Sequence, residues 1–228
     1  MEEDVPCQDK VTLLVQFWDR LIGDLQILAI KMNWNKQKII EKAYSFYPKG
    51  ISFELDNELY RNTNEYQLLS KALEESCILN SLLSKFIRQL SKANIIFQEI
   101  GPGISLQRSF QLAFITDNEE PTYLVLCISK ITPFYCFYSL SSLAFNLDKT
   151  SYTFTKKFKT SDLNNMQILK SLLSTSFSGY QLISPEYLNY ELQNVEYEDI
   201  GQLNREIPPI LYKKMTIFTA LFSTFIYY

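Results

Sequence analysis

Phe110-Gln111-Leu112-Ala113-Phe114-Ile115, followed after the turn Asp117-Asn118-Glu119-Glu120-Pro121 by Tyr123-Leu124-Val125-Leu126-Cys127-Ile128, is the stretch on which the fold turns. Phe110, Leu112 and Phe114 alternate with Gln111, Ala113 and Ile115, and side chains alternate across a strand, so two strands joined as a hairpin are predicted. A third strand is expected from Phe134 to Leu140, and Tyr152 to Phe158 alternates again. Thr160 or Ser161 is placed to cap a helix over Leu163, Met166, Ile168, Leu169, Leu172 and Leu173, which Gly179 ends. A return strand over Tyr180-Gln181-Leu182-Ile183, a segment punctuated by Pro185, Pro208 and Pro209, and an apolar element from Thr216 to Phe225 complete this half.

Before Gly101-Pro102-Gly103 the hydrophobic period is that of a helix. Val11, Leu14, Val15, Trp18, Leu21, Ile22, Leu25, Leu28 and Ala29 recur at three- and four-residue steps, predicting a long amphipathic helix up to Met32. Asn35 is placed to cap a second helix through Ile39, Ile40, Ala43 and Phe46, closed by Pro48-Lys49-Gly50. A third is expected to run without a break from an Asn64 cap through Leu68, Leu69, Leu73, Cys77, Leu82, Phe86 and Leu90. Helices and strands come in blocks, which predicts an α+β fold. Residues 1–100 form a helical lobe, and residues 104–228 a mainly antiparallel sheet with one or two packed helices, the two packed as one unit.

Histidine is absent from all 228 residues, which removes the commonest general base and metal ligand. Cys7, Cys77, Cys127 and Cys136 show neither a CxxC pair nor zinc-ligand spacing, so they read as buried free thiols. A nucleophilic Cys127 or Cys136 would lack its usual His partner. Gly101-Pro102-Gly103 does not match a phosphate-loop pattern. Glu74-Glu75, and Glu191, Glu196, Glu198 and Asp199, are the carboxylates that could form an acid/base pair, but carboxylates so close in sequence read first as solvated surface charge. No catalytic residue, cofactor or metal is therefore expected.

A net charge of −3 argues against a nucleic-acid partner, which needs a concentrated basic face. The single basic cluster, Lys156-Lys157-Phe158-Lys159, reads as a solvated strand end. The acidic start Met1-Glu2-Glu3-Asp4 is unlike a secretory signal, and the apolar run Met215–Tyr228 is too short to span a bilayer, so a cytoplasmic location without membrane attachment is expected.

Aromatic residues remain as the functional signal: 15 Tyr, 16 Phe and 2 Trp. Pro133-Phe134-Tyr135-Cys136-Phe137-Tyr138 is apolar on both strand faces, so either both are covered or one is a contact patch. Glu186 to Asp199 combines Tyr187, Tyr190 and Tyr197 with Glu186, Glu191, Glu196, Glu198 and Asp199, a strip suited to a basic protein partner. The strand after Gly179, the run Val195-Glu196-Tyr197-Glu198-Asp199-Ile200 and the closing element Thr216–Phe222 resemble the tails of small cytoplasmic immunity proteins of bacterial toxin systems. The resemblance implies a non-enzymatic α+β inhibitor of one cognate toxin. The partner-binding candidates are Tyr187, Tyr190, Glu191, Glu196, Tyr197, Glu198 and Asp199. The alternatives are an enzyme using carboxylate, Tyr or Lys chemistry in a cleft between lobes, and a structural subunit of a larger assembly; a homo-oligomer stays open.

Overall fold

A computed structural model describes residues 36–52, 55–100, 108–117, 122–141, 158–195 and 215–222. The helix expected over Val11–Met32, the Gly101-Pro102-Gly103 turn, the strand from Tyr152 and Cys7 lie outside these residues. The chain separates into two compact units, Met1–Glu41 and Lys42–Tyr228. Helix α1, residues 36–44, stops before Phe46. Turn bonds from Phe46 N–H to the Ala43 carbonyl and from Tyr47 N–H to the Tyr44 carbonyl replace the helical ladder ahead of Pro48, whose ring disfavours helix in the residue before it.

The fold of the second unit is α+β. Short α2 (Asn57–Arg61) leads into α3 (Asn64–Glu75) and α4 (Leu79–Lys92). The uninterrupted helix expected from Asn64 to Leu90 is instead two helices around a tight turn over Ser76–Ile78. Ser76 causes the break locally: its backbone N–H and its hydroxyl both turn back to the Leu73 carbonyl, the hydroxyl at 2.6 Å. Serine offers the backbone this alternative to a regular helix. The cap also moves by one residue, since the Thr63 hydroxyl accepts from Tyr66 N–H and Asn64 is already helical.

Strands β1 (Gln98–Glu99), β2 (Ser109–Asp117), β3 (Thr122–Ser129) and β4 (Phe134–Ser141) form an antiparallel meander, and β5 (Gln181–Leu182) adds to β4 in parallel. The spatial order is β1-β2-β3-β4-β5. The predicted hairpin is present, with Phe110 opposite Ile128 and Phe114 opposite Leu124. Near its turn the register slips between Ile115 and Asp117, leaving Thr116 as an extra residue.

Alternation gives the sheet two different faces. On one, Leu112, Phe114, Leu124, Leu126, Ile128, Tyr135 and Phe137 pack against Phe86 and Leu90 of α4 and against α5 (Thr160–Ser176). α5 contributes Met166, Leu169 and Leu173, and Phe177 follows it to meet Phe86 edge to face at 6.3 Å between ring centres. Each such side chain, fully buried, contributes about 1.5–3 kcal/mol. α5 does not start from a Thr160 or Ser161 cap; Lys159 occupies that place, and the Asp162 carboxylate reaches back to accept from Lys159 N–H at 3.0 Å. Two short helices follow β5, α6 (Pro185–Leu188) and α7 (Ile217–Leu221).

The opposite face carries smaller and more polar side chains: Ser109, Gln111, Ala113, Val125, Cys127, Ser129, Cys136 and Tyr138, all buried. α7 covers it. The Tyr138 and Phe218 rings meet edge to face at 5.6 Å, and Ile217, Phe218, Ala220, Leu221 and Phe222 are buried. Three side chains from distant parts of the chain hold the end of α7. Tyr47 Oη donates to the Ala220 carbonyl at 2.7 Å, Ser129 Oγ to that of Leu221 at 2.7 Å, and Arg108 Nη1 to that of Thr219 at 3.5 Å. These carbonyls would otherwise be orphans at a helix C-terminus, where a cation is also favoured.

Candidate functional site

Ser184-Pro185 begins the candidate contact segment. Pro185 sits at the first helical position of α6, where its missing N–H costs nothing. Leu188, Leu192 and Val195, at four- and three-residue spacing, are buried anchors. Backbone bonds fix the rest. Ile217 N–H donates to the Tyr190 carbonyl at 3.0 Å, and Leu192 N–H to that of Met215 at 2.8 Å, so Glu191 bridges Thr216. On the other side Gly50 N–H donates to the Asn194 carbonyl at 2.8 Å and Gln193 N–H to the Tyr44 hydroxyl at 2.9 Å. Gly50 and Asn194 both take left-handed backbone, φ 72° and 58°, to make this junction, a conformation open to Gly and tolerated by Asn.

Glu186, Asn189, Tyr190, Gln193 and Asn194 are exposed from this clamped segment, and Tyr187 and Glu191 are half-buried. Burial first, and then the Glu186 carboxylate to which it is hydrogen-bonded, raise the Tyr187 phenol above its usual range. The phenol is therefore a donor at neutral pH. The structure brings Tyr187, Tyr190 and Glu191 together within one short, braced element. Glu196, Tyr197, Glu198 and Asp199 lie outside the described residues. Glu186, already part of the acidic strip, shares the surface with Asn189 and Gln193, which were not singled out in the sequence; the Ser-Pro start followed by apolar Leu188, Leu192 and Val195 was the signal that could have found them.

Elsewhere the candidates separate. Glu74 and Glu75 are exposed on α3, with Glu75 3.8 Å from Lys71 one turn away. Cys77 is exposed, which corrects the expectation of a buried thiol; it lies in the turn between α3 and α4, whereas Cys127 and Cys136 are buried within the sheet. Among the described residues no three Cys, Asp or Glu side chains gather as metal ligands, and no helix is long and apolar enough to cross a membrane. Tyr135–Tyr138 is core, not contact patch: all four residues are buried, with α4 and α5 against one face and Phe218 of α7 against Tyr138 on the other, while Phe134 is half-buried.

The chain matches no protein-family model, no curated protein and no solved structure.

Proposed function

We propose that this chain acts by binding, as a protein-recognition module whose contact surface is the braced segment from Glu186 to Asn194. One observation carries the reading: Tyr187, Tyr190 and Glu191 are presented on backbone tied to both residues 44–50 and residues 215–217. Aromatic side chains on fixed backbone lose little freedom on binding, which is what makes Tyr an effective anchor. The carboxylates of Glu186 and Glu191 flank them, so the complementary partner surface is basic and carries apolar pockets. The resemblance to immunity proteins narrows the proposal to an inhibitor of one cognate basic toxin in the cytoplasm.

The test is capture of the tagged chain from its native host, with the variant Tyr187→Ala/Tyr190→Ala/Glu191→Ala run in parallel. A stoichiometric basic partner retained by the parent and lost from a variant that still unfolds cooperatively supports the surface. A partner captured equally by both removes it.

A further inference from the structure

Cys127 and Cys136 stand directly across from each other on β3 and β4, both fully buried and both free thiols. Neighbouring bonds identify the kind of pair. Lys130 N–H donates to the Arg108 carbonyl on the β2 side, and Ile183 N–H to the Tyr135 carbonyl on the β5 side. Backbone groups alternate sides along a strand, so Cys127 and Cys136 turn theirs toward each other and form a hydrogen-bonded pair, with Cα atoms about 5.5 Å apart. That separation lies within the span of about 4.4–6.8 Å that a disulfide bridges. Cβ atoms in such pairs are about 5.5 Å apart against about 3.8 Å in a relaxed disulfide, so closing the bond draws the strands together and leaves it readily reduced.

α7 touches the sheet on either side of this pair. Ser129 is two residues beyond Cys127 on β3, and Tyr138 two beyond Cys136 on β4; in antiparallel strands these fall on opposite sides of the cysteine row. α7 reaches both, through the Leu221 carbonyl to Ser129 and through the Phe218 ring to Tyr138. Burial, and then Cys127 beside it, push the Cys136 thiol well above its ordinary value. A thiol held protonated and out of solvent reacts slowly.

We propose that Cys127 and Cys136 are a latent modification site guarded by α7: when α7 lifts from the sheet, a small two-electron oxidant of the peroxide class reaches the thiols and they close into a reversible cross-strand disulfide. The sulfur of one cysteine attacks a peroxide oxygen, the O–O bond breaks, and a sulfenic acid and one water form. The second sulfur then displaces the sulfenic hydroxyl, which leaves with the thiol proton as a second water while the S–S bond forms. Two thiols are oxidised and one peroxide is reduced to two waters; a dithiol reductant reverses the bond.

The experiment uses the full chain with Cys7→Ser and Cys77→Ser, so that only this pair remains. The folded protein is exposed to hydrogen peroxide, quenched, unfolded with an alkylating reagent and analysed by mass spectrometry. Both thiols are expected to disappear together into one linked peptide pair, restored by dithiothreitol. In a Tyr47→Phe version, which loses the buried bond to the Ala220 carbonyl of α7 and leaves the Ser129–Thr132 bonds of the β3–β4 turn in place, the linked pair is expected to form about three- to tenfold faster. If that variant does not fold, urea below the unfolding transition loosens α7 in the parent and is expected to raise the rate likewise. Two alkylated thiols after exposure, separate oxidation of each sulfur without linkage, or a rate indifferent to both perturbations would overturn the proposal.

Discussion

Ser129 shows how much one hydroxyl can hold. It donates to the Leu221 carbonyl and accepts from Thr132 N–H at 3.2 Å and from the Thr132 hydroxyl at 3.0 Å, so it fastens α7 and the β3–β4 turn at once. Tyr47 adds a buried donor to the Ala220 carbonyl, and its ring lies under Arg108. Tyr47→Phe leaves that carbonyl without this donor and is expected to cost about 1–3 kcal/mol in urea unfolding; an unchanged midpoint would mean that the bond contributes nothing net. Titration offers a second check at this scale. Burial raises the phenols of Tyr135, Tyr180 and Tyr187 and the thiol of Cys136. Each prefers its neutral form when folded, so its stabilisation is complete below the unfolded value, about 10 for Tyr and 8.5 for Cys, and is lost as pH rises through the raised folded value. Lys130 opposes them: burial lowers its pKa, and the penalty on its charged form fades over the same alkaline range. Among the described residues, the raised phenols and thiol predict a urea midpoint that falls from about pH 9 upward, and midpoints measured from neutral to strongly alkaline pH would expose a flat or rising profile.

At the scale of elements, the legible features were those written into local pattern. Alternation from Phe110 to Ile128 placed the hairpin, and the apolar spacing from Met166 to Leu173 placed α5. Caps and breaks were harder to read because they depend on which of several adjacent polar residues the backbone selects. Thr63 and Asn64 are both good caps by type, and only the chain path gives the role to Thr63. Thr63→Ala is therefore expected to cost about 1 kcal/mol and Asn64→Ala a few tenths; equal losses in thermal unfolding would return the cap to Asn64. The break at Ser76 was hidden for the same reason, since the apolar period continues across it. The two faces of β4 were legible as apolar, but what covers them is tertiary information. Helix α7 is recruited by Tyr47, Arg108 and Ser129, residues that no spacing rule connects. The candidate surface divides likewise: Tyr187, Tyr190 and Glu191 were visible by residue type, whereas their bracing by residues 44–50 and 215–217 was not. Phe86 joins the two helices of the other layer through its ring contact with Phe177, and Phe86→Ala is expected to cost about 3–5 kcal/mol, measurable by chemical denaturation.

For the whole molecule, the sheet needs cover on both faces and takes it from separate parts of the sequence. One face is covered by the α4–α5 layer; α7, with Tyr47 reaching its end, packs on the other. A chain stopped after residue 214 is expected to keep helical and strand signals but to bind a hydrophobic dye strongly and to lose its sharp unfolding transition. A truncated chain that unfolds as cooperatively as the parent would show that α7 is an accessory to the core. The bond between Tyr47 and Ala220 spans 173 residues of chain, which sets an order of events during synthesis. A ribosome adding about 5–20 residues per second releases the whole meander well before it releases α7. Throughout that interval Val125, Cys127, Cys136 and Tyr138 stand on the meander without α7 against it. Nascent chains are therefore expected to bind chaperones until residue 222 emerges, and slowed synthesis between residues 142 and 215 is expected to lower the yield of folded protein.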